Sequence, residues 1–400
     1  MIEILLAIFF ITVLLLFLGS GIWVAISMIG VSSIGMILFT SRPVGDAMAT
    51  TIWGASSSWT LTALPLFVWM GEILFRTKLS ENLFEGLAPW LQKLPGGLIH
   101  VNVVGCALFA AISGSSAATV ATVGKMSIPE LRKRKYPEKI LLGSLAGSGT
   151  LGLLIPPSII LIIYGVTVQE SIAKLFIAGI IPGIMIALIF MGYVIIWSLL
   201  NKNKMPLTEE NYSFLNKLSK SKQLIPVILL ILGVIGSIYT GIATATEAAS
   251  LGVVGALILS YFQKSLNLKT FKESLLGATK TSCMIAFILA GATFLSLAMG
   301  FTGLPRNLAI WIQNMELSPY VLIFVLMIFY IILGMFLDGI SAVVLTMAII
   351  EPMIRQAGFD MIWFGIFLVI VVEMAQITPP VGFNLFVLQG MANKDMGYIA

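Results

Sequence analysis

Charge is what this sequence has least of. Only 10% of its 400 residues are Asp, Glu, Lys or Arg, while 58% are hydrophobic and the mean hydropathy is +1.04. A soluble domain carries about a quarter charged residues, because its surface faces water. A chain this poor in charge cannot cover itself with polar groups, so its outer surface faces lipid. Histidine is nearly absent, at His100 alone, and cysteine occurs only at Cys106 and Cys283. One histidine and scattered acids supply neither a catalytic dyad nor metal-ligand spacing, which argues against an intramembrane enzyme. Both cysteines lie in apolar segments, so no structural disulfide is expected. No Gly-rich loop followed by Lys-Ser/Thr is present, which disfavours an ATP-driven pump. Met1 to Leu18 lacks a basic leader and runs on into more membrane sequence, so no cleavable signal is read there. The net charge of +5 does not indicate nucleic acid, because the basic residues gather in loops.

What is there is a series of apolar runs roughly 18–30 residues long and not alternating, the signature of spanning helices rather than a barrel. Lipid-exposed backbone is satisfied only in those two forms. The fold expected is therefore an all-α polytopic membrane protein. Helices are read at 2–18 and 22–40, joined by Gly19-Ser20-Gly21, then at 47–75, followed by a polar stretch to 99. A broken apolar segment covers 100–124 and precedes the basic loop Lys125–Lys139. Further spans fall at 141–165, 175–200, 224–243, 245–262 and 277–300. Two last apolar blocks cover 320–350 and 361–391.

The richest basic stretches are 125–139, 201–222 and 264–280, and the positive-inside rule puts all three in the cytoplasm. The stretches 166–174, 301–319 and 351–360 are poor in Lys and Arg and read as periplasmic. These sides agree only if 100–124 and 320–350 each enter and leave on one face, as re-entrant hairpins opening to opposite sides. The same parity puts the N-terminus in the periplasm.

The two odd segments resemble each other. Gly114-Ser115-Ser116-Ala117-Ala118-Thr119-Val120 is answered by Gly339-Ile340-Ser341-Ala342-Val343-Val344-Leu345, and each runs on to a proline, Pro129 or Pro352. Farther on, Gly152-Leu153-Leu154-Ile155-Pro156-Pro157-Ser158 is answered by Ala375-Gln376-Ile377-Thr378-Pro379-Pro380-Val381. Two motif pairs in the same order, offset by roughly 220 residues, define an inverted-topology repeat with two hairpins and two broken helices. Such paired interruptions point to a transport site near the bilayer midplane. A Pro-Pro pair removes two backbone donors and unwinds the helix. The freed carbonyls are costly in lipid unless they line a cavity or bind a cation. With the hydroxyl-bearing tips they make an oxygen cage suited to Na⁺.

In combination these residues resemble one family closely. They include Phe109-Ala-Ala-Ile-Ser-Gly-Ser-Ser-Ala-Ala-Thr, Ile128-Pro-Glu-Leu, Gly149-Thr-Leu-Gly-Leu-Leu-Ile-Pro-Pro-Ser and Phe176-Ile-Ala-Gly-Ile-Ile-Pro-Gly. Gly241-Ile-Ala-Thr-Ala-Thr-Glu-Ala-Ala and Thr378-Pro-Pro-Val-Gly-Phe-Asn-Leu-Phe complete the set. The chain resembles, over essentially its whole length, the large membrane (M) subunit of tripartite ATP-independent periplasmic (TRAP) transporters.

The resemblance implies an elevator-type secondary transporter of the bacterial inner membrane, with Na⁺ as coupling ion and no other cofactor. It implies import of C4-dicarboxylates, sialic acid or other sugar acids, delivered by a periplasmic substrate-binding protein. A separate small four-helix membrane subunit is implied as a second partner. The alternative is an elevator-type anion symporter that takes its substrate without a binding protein. One sodium site would use Ser113, Gly152, Ile155 and Pro156, with Ser115 or Ser116 added. The other would use Gly334, Leu337, Ala375, Thr378 and Val381, with alanine at 375 where the family commonly has glycine. Substrate would lie near Ser115, Ser116, Thr378 and Asn384. Family members end with one more apolar helix, so a chain stopping at Ala400 is expected to be truncated.

The domains expected are 1–99 (scaffold helices and connector) and 100–200 (first transport repeat). They continue with 201–276 (loop and scaffold pair) and 277–400 (second transport repeat, final helix missing). Asp338 at the second tip either attracts a cation or hydrogen-bonds the tip closed. Glu247, after Thr244, reads as a helix N-cap residue. Glu72 and Glu373 read as pairing or snorkelling, and His100 as interfacial. The Arg132–Lys135 run reads as a topology anchor touching lipid headgroups. Trp53, Trp59 and Trp69 read as interface anchors.

Overall fold

The computed structural model describes residues 2–76, 79–206, 212–222, 224–305, 307, 310, 318–379 and 382–399; of residues 2–5, 7 and 79–81 it describes the backbone. No strand occurs among the described residues. Among the described residues, five helices are long and apolar enough to cross a membrane, or seven if two bent pairs each count as one span.

The chain opens with α1 (Ile2–Gly19) and α2 (Val24–Phe39). The single helix expected over 47–75 is broken instead. It forms α3 (Val44–Ser56), a 3₁₀ turn at Trp59–Thr62 and α4 (Ala63–Phe75), bent by 55°. No Pro or Gly lies at the break. Three consecutive serines, Ser56 to Ser58, sit there, and serine side chains compete with the helix for backbone partners. Trp53 and Trp59 stay exposed, as interface anchors do. Trp69 does not: it stacks edge-on against Phe271 and donates Nε1–H to Ser274 at 3.4 Å. The stretch read as polar up to 99 contains α5 (Leu79–Leu91).

The first hairpin is α6 (Ile99–Ser113) and α7 (Ser116–Lys133), and the first broken helix is α8 (Glu138–Gly149), α9 (Leu151–Leu154) and α10 (Ile159–Thr167). Then come α11 (Ile172–Leu200), α12 (Phe214–Ser221), α13 (Ile225–Tyr239), α14 (Ala245–Phe262) and α15 (Leu268–Thr302). The last is longer than the 277–300 expected, because the basic stretch before it continues the helix. Its 35 residues span about 52 Å, well beyond the roughly 30 Å hydrocarbon core. The second hairpin is α16 (Pro319–Gly334) and α17 (Gly339–Gln356), and the second broken helix is α18 (Met361–Gln376) and α19 (Phe383–Ala392), before α20 (Met396–Ile399).

The repeat reaches farther than its motifs. Helix starts at Ser116, Glu138, Ile159 and Ile172 recur at Gly339, Met361, Phe383 and Met396, and upstream the start of α3 at Val44 recurs at Leu268 of α15. The bent α3–α4 thus stands to the first hairpin as the continuous α15 stands to the second. α15 packs on α2, α3 and α4 and touches α17, while α14 packs on α4 and α13.

The two halves are tied across their pseudo-symmetry. Ser116 Oγ donates to Gln376 Oε1 at 2.7 Å, and Tyr164 Oη donates to the Met361 carbonyl at 2.7 Å. Arg132, in the last turn of α7, donates to the Ala392 carbonyl at 2.8 Å and pairs with Glu138. Arg355, in the last turn of α17, donates to the Val168 carbonyl at 3.1 Å and pairs with Glu351 and Glu170. Each arginine therefore caps the C-terminal end of the other repeat's broken helix. Arg132 is thus turned into the protein rather than toward headgroups, and Arg134 pairs with Glu130.

Thr244 is the N-cap of α14, and Glu247 completes a capping box by accepting the Thr244 N–H at 2.8 Å. Losing such a cap costs about 1 kcal/mol. Thr244→Ala is expected to lower the thermal midpoint by roughly 2–4 °C, and Thr244→Ser to restore it. An unchanged midpoint for the alanine variant would deny the cap any part in stability.

Candidate ion and substrate site

The first tip is built by Gly114, whose φ of +60° ends α6 in the left-handed conformation that glycine adopts without strain. A Cβ there would come within 2.7 Å of the Pro157 carbonyl oxygen. The tip is pinned to the first break by the Ile159 N–H, which donates to the Gly114 carbonyl at 3.2 Å. Ser158 caps α10 by accepting the Leu161 N–H at 3.3 Å and bonds back to the Leu153 carbonyl.

Oxygens cluster at this junction. Thr119 Oγ1 donates to the Ser115 carbonyl at 2.8 Å and lies 2.9 Å from Ser113 Oγ. Gly152 lies directly against them: a Cβ added there would sit 2.6 Å from the Ser115 oxygen and 2.7 Å from Thr119 Oγ1. Among the described residues the Ile155 and Pro156 carbonyls accept no backbone hydrogen bond. Ser113, Ser115, Gly152 and the Ile155–Pro156 backbone thus belong to one junction. Thr119 joins them, a residue that the sequence reading passed over although it lies one turn beyond Ser115. Ser116 points away, to Gln376.

In the second half, α16 ends at Gly334, and Asp338 caps α17 by accepting the Ile340 and Ser341 N–H groups at 3.1 and 3.2 Å. That is the tip-closing role open to it from sequence. Gly334 faces Ala375 so closely that a Cβ on it would lie 2.6 Å from the Ala375 methyl. The Gly334 and Leu337 carbonyls accept no backbone hydrogen bond among the described residues, and the Ala375 carbonyl accepts the Thr378 N–H at 3.1 Å. Thr378 is half-buried and its hydroxyl donates to the Met374 carbonyl at 2.6 Å. Val381 lies outside the described residues.

A cavity of about 1170 Å³ separates the two tips from the helices opposite. Ser113 to Ser115, Asp338 and Ser341 line one side, and the start of α2, the end of α4 and Lys280 to Ile288 of α15 line the other. Of the four residues expected near substrate, Ser115 lines this cavity. Asn384 is fully buried, its amide atoms without a partner among the described residues, and its neighbour Phe383 reaches the cavity wall.

Glu72 lines the cavity and pairs with Arg76 at 3.1 Å, as sequence suggested. Glu373 neither pairs nor snorkels: it is 3% exposed, the Leu154 N–H donates toward its carboxyl, and its Oε1 has no partner. His100 is buried too, with Nε2 2.8 Å from the Pro95 carbonyl. It sits inside the hairpin base rather than at the interface.

Three comparisons bear on this arrangement. The family model described as "Tripartite ATP-independent periplasmic transporter, DctM component" matches residues 10–400. The C4-dicarboxylate TRAP transporter large permease protein of Pseudomonas aeruginosa is 32% identical over 370 residues, covering 92% of this chain and 86% of that one. The sialic acid TRAP transporter large permease protein of Vibrio cholerae is 30% identical over 374 residues, covering 93% of this chain and 86% of that one. Among solved structures, the Alcanivorax borkumensis YdaH transporter, described as having an unusual topology, superposes with a TM-score of 0.65 at 12% identity. That match covers 96% of this chain and 93% of that one. At that identity the likeness speaks for the fold alone.

Proposed function

The chain belongs to the DctM family of TRAP large permease subunits, and from that membership we propose that it imports small organic acids by coupling them to a sodium gradient. The observation that carries the proposal is that each repeat sets a hydroxyl- or carboxylate-bearing tip against its helix break, both tips facing one cavity. Carbonyls that accept no backbone hydrogen bond among the described residues lie at the first break (Ile155, Pro156) and at the second tip (Gly334, Leu337). Free carbonyls beside hydroxyls suit a hard monovalent cation, and half-helix N-termini suit an anion. Sodium bound at each junction would hold its tip against its break. The acid then binds well only to the organised tips, and by linkage it strengthens sodium binding by the same factor.

In this reading the core of hairpins and broken helices slides as one body against α2, α4 and the helices packed on them. The four cross-repeat ties support its moving as a unit. The cavity wall is made by the start of α2, the end of α4 and the first half of α15, which the loop charges assign to the cytoplasmic side. On this reading the cavity faces the cytoplasm. A periplasmic binding protein delivers the acid, and a small membrane subunit braces the scaffold.

The test is uptake of labelled succinate, N-acetylneuraminate and gluconate into proteoliposomes holding this protein with its small membrane subunit. The gradient and the binding protein are each supplied or withheld. Uptake of one acid is expected only when both are present. Uptake with sodium alone would make the protein a direct anion symporter, and uptake with neither would end the sodium assignment.

A further inference from the structure

The two tips are not equivalent, and the difference lies at one position of the facing break. Ser116 in the first tip is satisfied by Gln376, three residues before Pro379. The motif match sets Ser341 against it in the second tip, two residues deeper into α17, and the residue three before Pro156 is Leu153, whose side chain accepts no hydrogen bond. Ser341 is 1% exposed and its Oγ has no hydrogen-bond partner among the described residues. Leu153 and Ser341 both line the cavity. A buried hydroxyl without a partner costs about 1–3 kcal/mol, and here the cavity is the side from which a partner can come.

The opposite wall carries a second unmatched group. Three charged residues line the cavity: Glu72, Lys280 and Asp338. Glu72 is paired with Arg76, and Asp338 with the N–H groups at the start of α17. Among the described residues the Lys280 ammonium makes no ion pair or hydrogen bond. The rest of the wall is mainly apolar, with Val68, Phe287 and Ile288 facing the same space.

We propose that Lys280 and Ser341 form a carboxylate subsite in this cavity. The acid places a carboxylate against the Lys280 ammonium, and the Ser341 hydroxyl donates to an oxygen of the same molecule. This deepens the transport reading above and rests on it. Lys280 belongs to the wall and Ser341 to the tip, so a bound acid bridges the two bodies in this state. The subsite selects compact acids with a hydrocarbon middle, since the surface between its polar ends is apolar.

The experiment is thermal unfolding of the protein with its small membrane subunit, in sodium buffer, titrated with succinate, N-acetylneuraminate and gluconate. A ligand that binds the folded state raises the midpoint with concentration. Lys280→Gln is expected to raise the half-protecting concentration about tenfold, the value of one charge-assisted hydrogen bond. Lys280→Arg is expected to stay within about threefold of wild type, and Ser341→Ala to raise the concentration about fivefold. Midpoints without acid should differ little, because neither side chain holds the fold together. In uptake, Lys280→Gln should raise KM while leaving kcat nearly unchanged. Wild-type protection in Lys280→Gln overturns the subsite, and so does a wild type that none of the three acids protects. Protection that depends on Lys280 without any sodium-driven uptake leaves the subsite standing and removes the coupling instead.

Discussion

Gly152→Ala is expected to raise the sodium concentration that uptake requires by roughly 5- to 150-fold while leaving the protein folded and in the membrane. The added methyl would lie 2.6 Å from the Ser115 carbonyl oxygen and 2.7 Å from Thr119 Oγ1. The nearest obstacle is backbone, so no side-chain rotation relieves it. The tip must back away from the break, taking with it the carbonyl and hydroxyls proposed to hold sodium. Overpacking of this kind costs about 1–3 kcal/mol, which as lost sodium affinity is roughly 5- to 150-fold. The measurement is the sodium concentration giving half-maximal uptake, read beside the thermal midpoint with and without sodium. Unchanged sodium dependence would mean that the first junction is packing and nothing more.

The second half gives the internal control. Ala375 stands where Gly152 does in the first repeat, and its methyl is accommodated because Gly334 opposite has none. Gly334→Ala alone should therefore raise the sodium requirement as Gly152→Ala does, and adding Ala375→Gly should lower it again. Rescue by the double change is a result that a general loss of stability would not give.

The second large effect is expected at the paired arginines. Arg132→Ala and Arg355→Ala each uncap a helix end; the first leaves Glu138 to Lys394 alone, and the second removes the cation shared by Glu351 and Glu170. Both side chains are more than a third exposed, so each loss is expected near 1–2 kcal/mol rather than at the buried-pair level. That corresponds to a fall of several degrees in the midpoint. Lysine is not expected to rescue either position, because one ammonium cannot replace a planar fork that meets a carboxylate and a carbonyl together. A lysine variant as stable as wild type would remove the bridging argument.

The architecture was legible in the sequence where breaks are chemical. Gly114 and the two Pro-Pro pairs mark their interruptions outright, and the same spacing twice revealed the repeat. The bend between α3 and α4 was not legible, because serines alone make it and serines are common within spanning helices. The site was legible as two clusters but not as a surface. Ser113, Ser115 and Gly152 meet, whereas Ser116 is engaged with a glutamine 260 residues away. Thr119, Gln376 and Lys280 escaped notice for the same reason: tertiary neighbours that the spacing of motifs does not encode give them their meaning. Glu373 went the other way. A single intramembrane acid suggested pairing, and only the packing of two broken helices around it shows it sealed in.

The ties between the repeats also set an order on biosynthesis. The Ser116–Gln376 and Arg132–Ala392 bonds each join residues 260 apart, and the Tyr164–Met361 bond joins residues 197 apart. At about 5–20 residues per second, the first hairpin waits roughly 10–50 s in the bilayer before its partner helices are made. During that interval Ser116 lacks its acceptor and the end of α7 lacks its anchor, so the nascent first repeat is the stage most open to membrane quality control.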